Sequence, residues 1–290
     1  MRWALAVAAV SLLTGSLFDL RGAPHARPAV HVVHVRPKPT ERPKRVPARP
    51  PQFIVVSFDG SGGARLWQYW RGVARKAHAH FTFFVSGVYL VDWAHHDAYA
   101  PPEEPRGDSA IGFAPNAAWI AAMRRQIALG YREGNEIGTH YNGHFCGSGG
   151  VSTWSARDWE RELDQFDRLL FRRKLPFGPQ EVIGGRTPCL EGKLDVLYRV
   201  LARRGFRYDA SHTARLGTWP TRRLGLWSVP LLELPFIGHT FPVVSMDYNF
   251  WANQFGEHAL TRFLLRASRL PEVHCTTIRT LVDWLDVHRR

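Results

Sequence analysis

Between residues 52 and 290, short apolar runs alternate with longer stretches of helical periodicity, and this alternation constrains the fold most. Phe53-Ile54-Val55-Val56-Ser57-Phe58 is a continuous apolar run of strand length, as expected for a strand covered on both faces. It stops at Asp59, and a loop containing Gly60, Gly62 and Gly63 follows. Residues 64–78 then place Leu66, Tyr69, Trp70, Val73 and Ala74 at helical spacing. Further strands are predicted at 81–85, 136–139, 181–183, 207–208, 226–232, 243–246 and 273–276. Helices are predicted over 117–129, 155–174, 192–204, 256–269 and 278–288, and residues 88–116 read as a proline-rich, aromatic loop. Strands separated by helices specify an α/β fold with a parallel sheet.

The chemically capable residues fall in one consistent place. Asp59, His140, Arg186 and Asp209 each lie at or just past the C-terminal end of a predicted strand. In parallel α/β folds that end carries the active site. Gly138-Thr139-His140-Tyr141-Asn142-Gly143-His144 holds two histidines four apart. On one face of a helical turn both imidazoles reach a single cation, and neutral imidazole suits Zn, Ni, Co or Fe(II). Two hydrogen-bonded histidines without a metal are the alternative. Asp59 reads as a metal ligand, a general base or a turn residue. Arg186, in Arg186-Thr187-Pro188-Cys189, is suited to holding a carboxylate in a fixed orientation, and Asp209 is a candidate partner. Asp209, Ser211 and His212 are too close in sequence for a serine triad, and no nucleophile elbow is present.

The N-terminus is of a different kind. Residues 1–23 carry one early positive charge, an apolar stretch and small residues, the pattern of a secretory signal or an N-terminal anchor. Residues 24–51 repeat proline every few positions, so neither helix nor ladder propagates and an extended spacer is expected. That spacer holds seven basic residues against Glu41, a large part of the chain's net charge of +13. It reads equally as a tether drawn to an anionic envelope polymer or as a solvated spacer. Export makes nucleic acid an unsuitable partner, and a membrane is involved only if the N-terminal segment stays uncleaved. Residues 52–290 form a single domain.

These motifs stand in a familiar order. The chain resembles the polysaccharide deacetylases with a NodB-homology domain, carbohydrate esterase family 4. Ser57-Phe58-Asp59-Gly60 looks like that family's T-F-D-D-G motif, and His140-Tyr141-Asn142-Gly143-His144 like its H-[ST]-x-x-H. Arg186-Thr187-Pro188-Cys189 is similar to R-x-P-[YF], and Tyr208-Asp209-Ala210-Ser211 to the aspartate-bearing strand end. The resemblance covers residues 52–290 and rests on motif order and spacing. It implies a deformed (β/α) barrel and metal-dependent hydrolysis of acetyl groups from a polysaccharide such as peptidoglycan. His140 and His144 would hold a divalent ion, zinc first and cobalt or nickel as alternatives. Asp59 would act as base, Arg186 would orient it, and Asp209 would support the network.

Three departures follow from the same comparison. Gly60 stands where the family has a second aspartate, so Asp59 is either the base or, shifted by one, the ligand. Cys189 replaces an aromatic residue. The final Leu–His motif has no clear counterpart, with only His239 and His258 as candidates. A catalytically degenerate glycan-binding protein is therefore the alternative reading. With both motifs at one barrel mouth, Cys146 and Cys189 come close enough to pair after export, leaving Cys275 in a buried strand; three unpaired cysteines are the alternative. Trp93 and Trp154, in loops near the expected mouth, are the candidate sugar-stacking residues.

Overall fold

The apolar run 53–58 is not one strand. In the computed structural model, which describes residues 51–236, 239–242, 245–247 and 256–289, it breaks at Val56 into β1 (Gln52–Val55) and β2 (Ser57–Asp59). β1 pairs in parallel with the strand near the C-terminus, and β2 pairs elsewhere, so each half serves a different ladder. The remaining strands are β3 (Thr82–Val85), β4 (Glu136–Thr139), β5 (Gly184–Gly185), β6 (Tyr208–Asp209), β7 (Thr213–Arg215) and β8 (Thr221–Arg223). They continue as β9 (Leu226–Ser228), β10 (Leu231–Phe236), β11 (His239–Pro242), β12 (Ser245–Asp247) and β13 (Val273–Thr276). The helices are α1 (Ala64–Ala77), α2 (Ala117–Arg132), α3 (Ala156–Phe171), α4 (Leu194–Arg203), α5 (Gly256–Ala267) and α6 (Ile278–His288).

The main sheet has the order β12-β2-β3-β4-β5-β6-β9-β8. Every neighbour in it is parallel except β8, which turns back on β9. β2 to β6 therefore place their C-terminal ends along one edge in chain order. Among the described residues no ladder joins β8 to β12, and β1–β13 and β11-β10-β7 form separate small sheets. The α/β class with a parallel sheet is as the alternation of elements dictates.

Packing explains the departures from the sequence reading. The predicted strand at 181–183 is displaced: Glu181 ends a 3-10 turn, and the ladder is made by Gly184 and Gly185. A side chain at Gly184 would lie 1.9 Å from the Tyr208 ring, so only glycine lets that ring cross. The Tyr208 hydroxyl then donates to buried Glu136 at 2.9 Å. On one flank Trp67 of α1 stacks on Phe83 of β3 with centroids 3.9 Å apart. Gly130 of α2 makes room, since a Cβ there would meet the same indole at 2.7 Å. On another flank α3 starts at a Ser155–Asp158 capping box and buries Trp159, Leu163 and Phe166. No helix among the described residues is long and apolar enough to cross a membrane. The proposed signal, nearly all of the proline-rich spacer, Val243 and Val244 of the predicted 243–246 strand, and the side chains of His239 and His258 lie outside the described residues.

Candidate active site

Asp59 ends β2, His140 follows β4, and Arg186 follows β5. The register Thr139↔Gly185 sets His140 and Arg186 side by side. Arg186 is buried to 2% exposure and organises both neighbours. Its guanidinium donates to Asp59 Oδ1 at 2.8 Å and Ser57 Oγ at 2.9 Å, and its Nε donates to the Ala210 carbonyl at 2.8 Å. The guanidinium also lies 4.8 Å above the Phe84 ring centre, a cation–π contact. Its backbone carbonyl accepts from His140 Nδ1 at 2.8 Å. A carbonyl only accepts, so Nδ1 carries the proton and Nε2 keeps the lone pair in the neutral ring. Burial pulls the His140 pKa down to about 4, although Asp59 opposes it, so the ring is neutral near pH 7.

The histidine motif is not a helical turn. Tyr141 and His144 take left-handed backbone angles, φ 58° and 61°, and the segment between them is irregular. The rings still converge, with centroids 5.0 Å apart. What holds this loop is Glu162 of α3. Its carboxylate accepts from the Asn142 amide at 3.0 Å and from the Tyr99 hydroxyl at 3.0 and 3.1 Å, and its carbonyl accepts from Asn142 Nδ2 at 2.9 Å. Burial pushes the Glu162 pKa from 4.5 up to about 7. The native state thus binds this proton more tightly than the unfolded chain does. The cost of the charge is absent below about pH 4.5 and fully present above about pH 7, so stability falls as pH rises between them. A Glu162→Gln variant should flatten that slope, by up to about 3 kcal/mol, in urea titrations at pH 5 and pH 8. An unchanged slope would show that the carboxyl does not titrate in this window.

Asp59, His140 and His144 line one cleft of about 550 Å³, together with Gly60, Tyr89, Trp119 and Thr187. Asp209 does not reach it. That carboxylate is fully buried and accepts from the Ser211 amide at 3.0 Å, the Ser211 hydroxyl at 2.7 Å and the Tyr198 hydroxyl at 3.1 Å. Ser211 in turn accepts from the Thr187 amide at 2.9 Å, so Asp209 is a positioning residue beneath the Arg186 loop. Trp154 is also corrected. It is 1% exposed and packs edge-on against Trp159 in the core beside α3, with no face left for a sugar. Trp93 is 56% exposed, but it packs on Phe113 and is not part of the cleft lining. Among the described residues, Tyr89 and Trp119 are the aromatic residues that line the cleft, with ring centroids 6.0 Å apart.

The donors meet a divalent cation part-way. His140 offers Nε2, and His144 faces it from the other end of the loop. Asp59 pairs with Arg186 through Oδ1 and lines the same cleft, and the next position is Gly60. The group of three ligand-type side chains that does converge among the described residues is His144, Cys146 and Cys189, with donor atoms within 4.8 Å of one another. Cys146 and Cys189 are joined as a disulfide, Cα–Cα 6.1 Å, so their sulfurs are not thiolates. Among the described residues the cleft thus offers two imidazoles, with the Asp59 carboxylate beside them, where catalytic zinc usually has three protein ligands.

No family model matches the chain, and no curated protein does. Among solved structures it is similar to a protein assigned as a polysaccharide deacetylase from Mycobacterium smegmatis, at TM-score 0.54 and 12% identity, over 84% of this chain and 93% of that one. The chain has the polysaccharide deacetylase fold. A mutant of a CE4 family pseudoenzyme from Bacillus anthracis matches at TM-score 0.47 and 12% identity, over 81% of this chain and 68% of that one. The chitin deacetylase of the fungus Colletotrichum lindemuthianum matches at TM-score 0.38 and 16% identity, over 56% of each chain.

On this deacetylase fold, sequence reasoning missed Glu162, Tyr99, Tyr89 and Trp119. Glu162 sits at a core position of an amphipathic helix, and that was its available signal: a carboxylate buried on an apolar face requires partners. Nothing local marks Tyr89 and Trp119 as cleft residues, because their meeting depends on how the 87–116 segment folds back on α2.

Proposed function

We infer that the chain is a carbohydrate deacetylase that acts outside the cytoplasm on an acetylated polysaccharide such as peptidoglycan, with a divalent cation recruited by His140 and His144. The observation that carries this reading is the convergence of Asp59, His140 and His144 on one cleft that Tyr89 and Trp119 also line. A cation there would lower the pKa of water and polarise an acyl carbonyl. The protein's own contribution is positional. Arg186 holds Asp59 in a fixed orientation, so that its carboxylate accepts the proton of the attacking water. The Arg186 carbonyl fixes the His140 tautomer, leaving Nε2 available. Tyr89 and Trp119 supply faces on which a sugar ring stacks. The basic proline-rich spacer would hold this domain near an anionic envelope polymer.

Acetate release from N-acetylated glycan oligomers and from peptidoglycan, with zinc or cobalt supplied, tests the proposal. Release is expected, and Asp59→Asn should lower it on the order of a hundredfold or more. No release from any of these substrates would overturn the hydrolytic reading. Gly60 favours a second reading, in which the cleft binds glycan without cleaving it. Retention on insoluble cell-wall polymer that survives His140→Ala, with no acetate released, would support that one.

A further inference from the structure

The disulfide lies against a cleft histidine. His144 Nδ1 is 3.8 Å from Cys146 Sγ, and the donor atoms of His144, Cys146 and Cys189 all lie within 4.8 Å of one another. A tetrahedral zinc site with ordinary bond lengths spaces sulfur and nitrogen about 3.6 Å apart and two sulfurs about 3.8 Å apart. Cys146 and His144 already stand near the first spacing, Cys189 lies within 4.8 Å of both, and the second spacing requires that the bonded sulfurs part. We propose that Cys146 and Cys189, once reduced, form with His144 a second cation site that competes with the His140–His144 pair for the shared imidazole.

The loops that carry the thiols are joined independently of the disulfide. Glu191 accepts from the Gly147 amide at 2.7 Å and from the Ser152 hydroxyl at 2.5 Å, and Lys193 Nζ donates to the Thr153 carbonyl at 3.2 Å. Breaking the sulfur–sulfur bond therefore leaves both thiols beside His144. Cys189 is exposed, so a reductant reaches it. Cys189, Leu190 and His144 have left-handed backbone angles, φ 53°, 59° and 61°, a conformation costly for these residue types. Loss of the covalent tie gives those turns freedom to adjust around a metal. In the step itself a dithiol transfers two electrons and two protons to the disulfide. Two cysteine thiols and the reductant's own disulfide result. Each thiol then loses its proton as its sulfur binds the cation. Two thiolates and one imidazole form a three-ligand set.

Cobalt(II) titration of the full chain distinguishes the two states, because thiolate ligation gives a near-ultraviolet charge-transfer band and imidazole ligation does not. The protein is compared as purified and after treatment with a dithiol, removed under argon before cobalt is added. The band is expected only in the reduced protein. It should be lost in Cys146→Ser, Cys189→Ser and His144→Ala, and retained in His140→Ala and Cys275→Ser. Absence of the band in the reduced protein, or its persistence in a His144→Ala variant that shows native circular dichroism, would overturn the proposal. The readout does not depend on hydrolysis, so it stands apart from the proposed deacetylase activity.

Discussion

Replacing Arg186 with alanine is expected to cost about 3–5 kcal/mol of stability, the range for breaking one side of a buried ion pair. The guanidinium is 2% exposed and serves Asp59, Ser57, the Ala210 carbonyl and the Phe84 ring at once. Its loss leaves a cavity at the strand ends and strips Asp59 of its cation. The variant should separate two functions. Cation binding should survive, because His140 hydrogen bonds to the backbone carbonyl of residue 186, not to its side chain. Any hydrolysis that depends on an oriented Asp59 should be lost. Urea unfolding and zinc binding measured on the same sample check this. A stability change within about 0.5 kcal/mol would contradict the central place given to Arg186.

The second large effect is a gain. Gly60→Asp should tighten zinc binding by at least about tenfold, roughly 1.4 kcal/mol. Gly60 follows the residue that pairs with Arg186, and it lines the cleft. A Cβ added there meets only the Tyr89 ring at 3.7 Å and Ser86 Oγ at 3.8 Å, ordinary van der Waals distances. Its φ of 70° is a left-handed angle, which aspartate tolerates better than most side chains. The neighbouring Gly62 offers no such space, since a Cβ there lies 2.8 Å from Tyr89. Isothermal titration with zinc, with circular dichroism to verify folding, decides the matter. Unchanged affinity in a folded variant would mean that residue 60 does not face the imidazoles.

These expectations show what was legible in the chain before its structure. β2, β3 and β4 are buried segments that run out into polar residues, so their C-terminal ends, and with them Asp59 and His140, could be read directly. β5 could not, because its ladder residues are two glycines chosen for the ring of Tyr208, a partner 24 residues away from Gly184. The break at Val56 was equally hidden, since an apolar run carries no mark of a change in ladder partner. The four-residue histidine spacing suggested a helical turn, yet the rings converge through left-handed residues pinned by Glu162 from a later helix. Local spacing pointed to two rings that do lie close, with centroids 5.0 Å apart, but on a different backbone. Loop position determines neither burial nor a place in the cleft, which is why Trp154 and Trp93 do not line it. Trp154 fills the core beside α3, while Trp93 packs on the surface. Asp209 was read at the correct strand end, but three hydrogen bonds turn it inward.

In the proposed mechanism His140 and His144 share one cation beside Asp59. Zinc titration of the unreduced full chain beside His140→Ala and His144→Ala tests it most directly. One zinc ion per chain, with binding lost in both variants, is expected. Zinc bound equally well by either variant, or not at all by the parent chain, would contradict it.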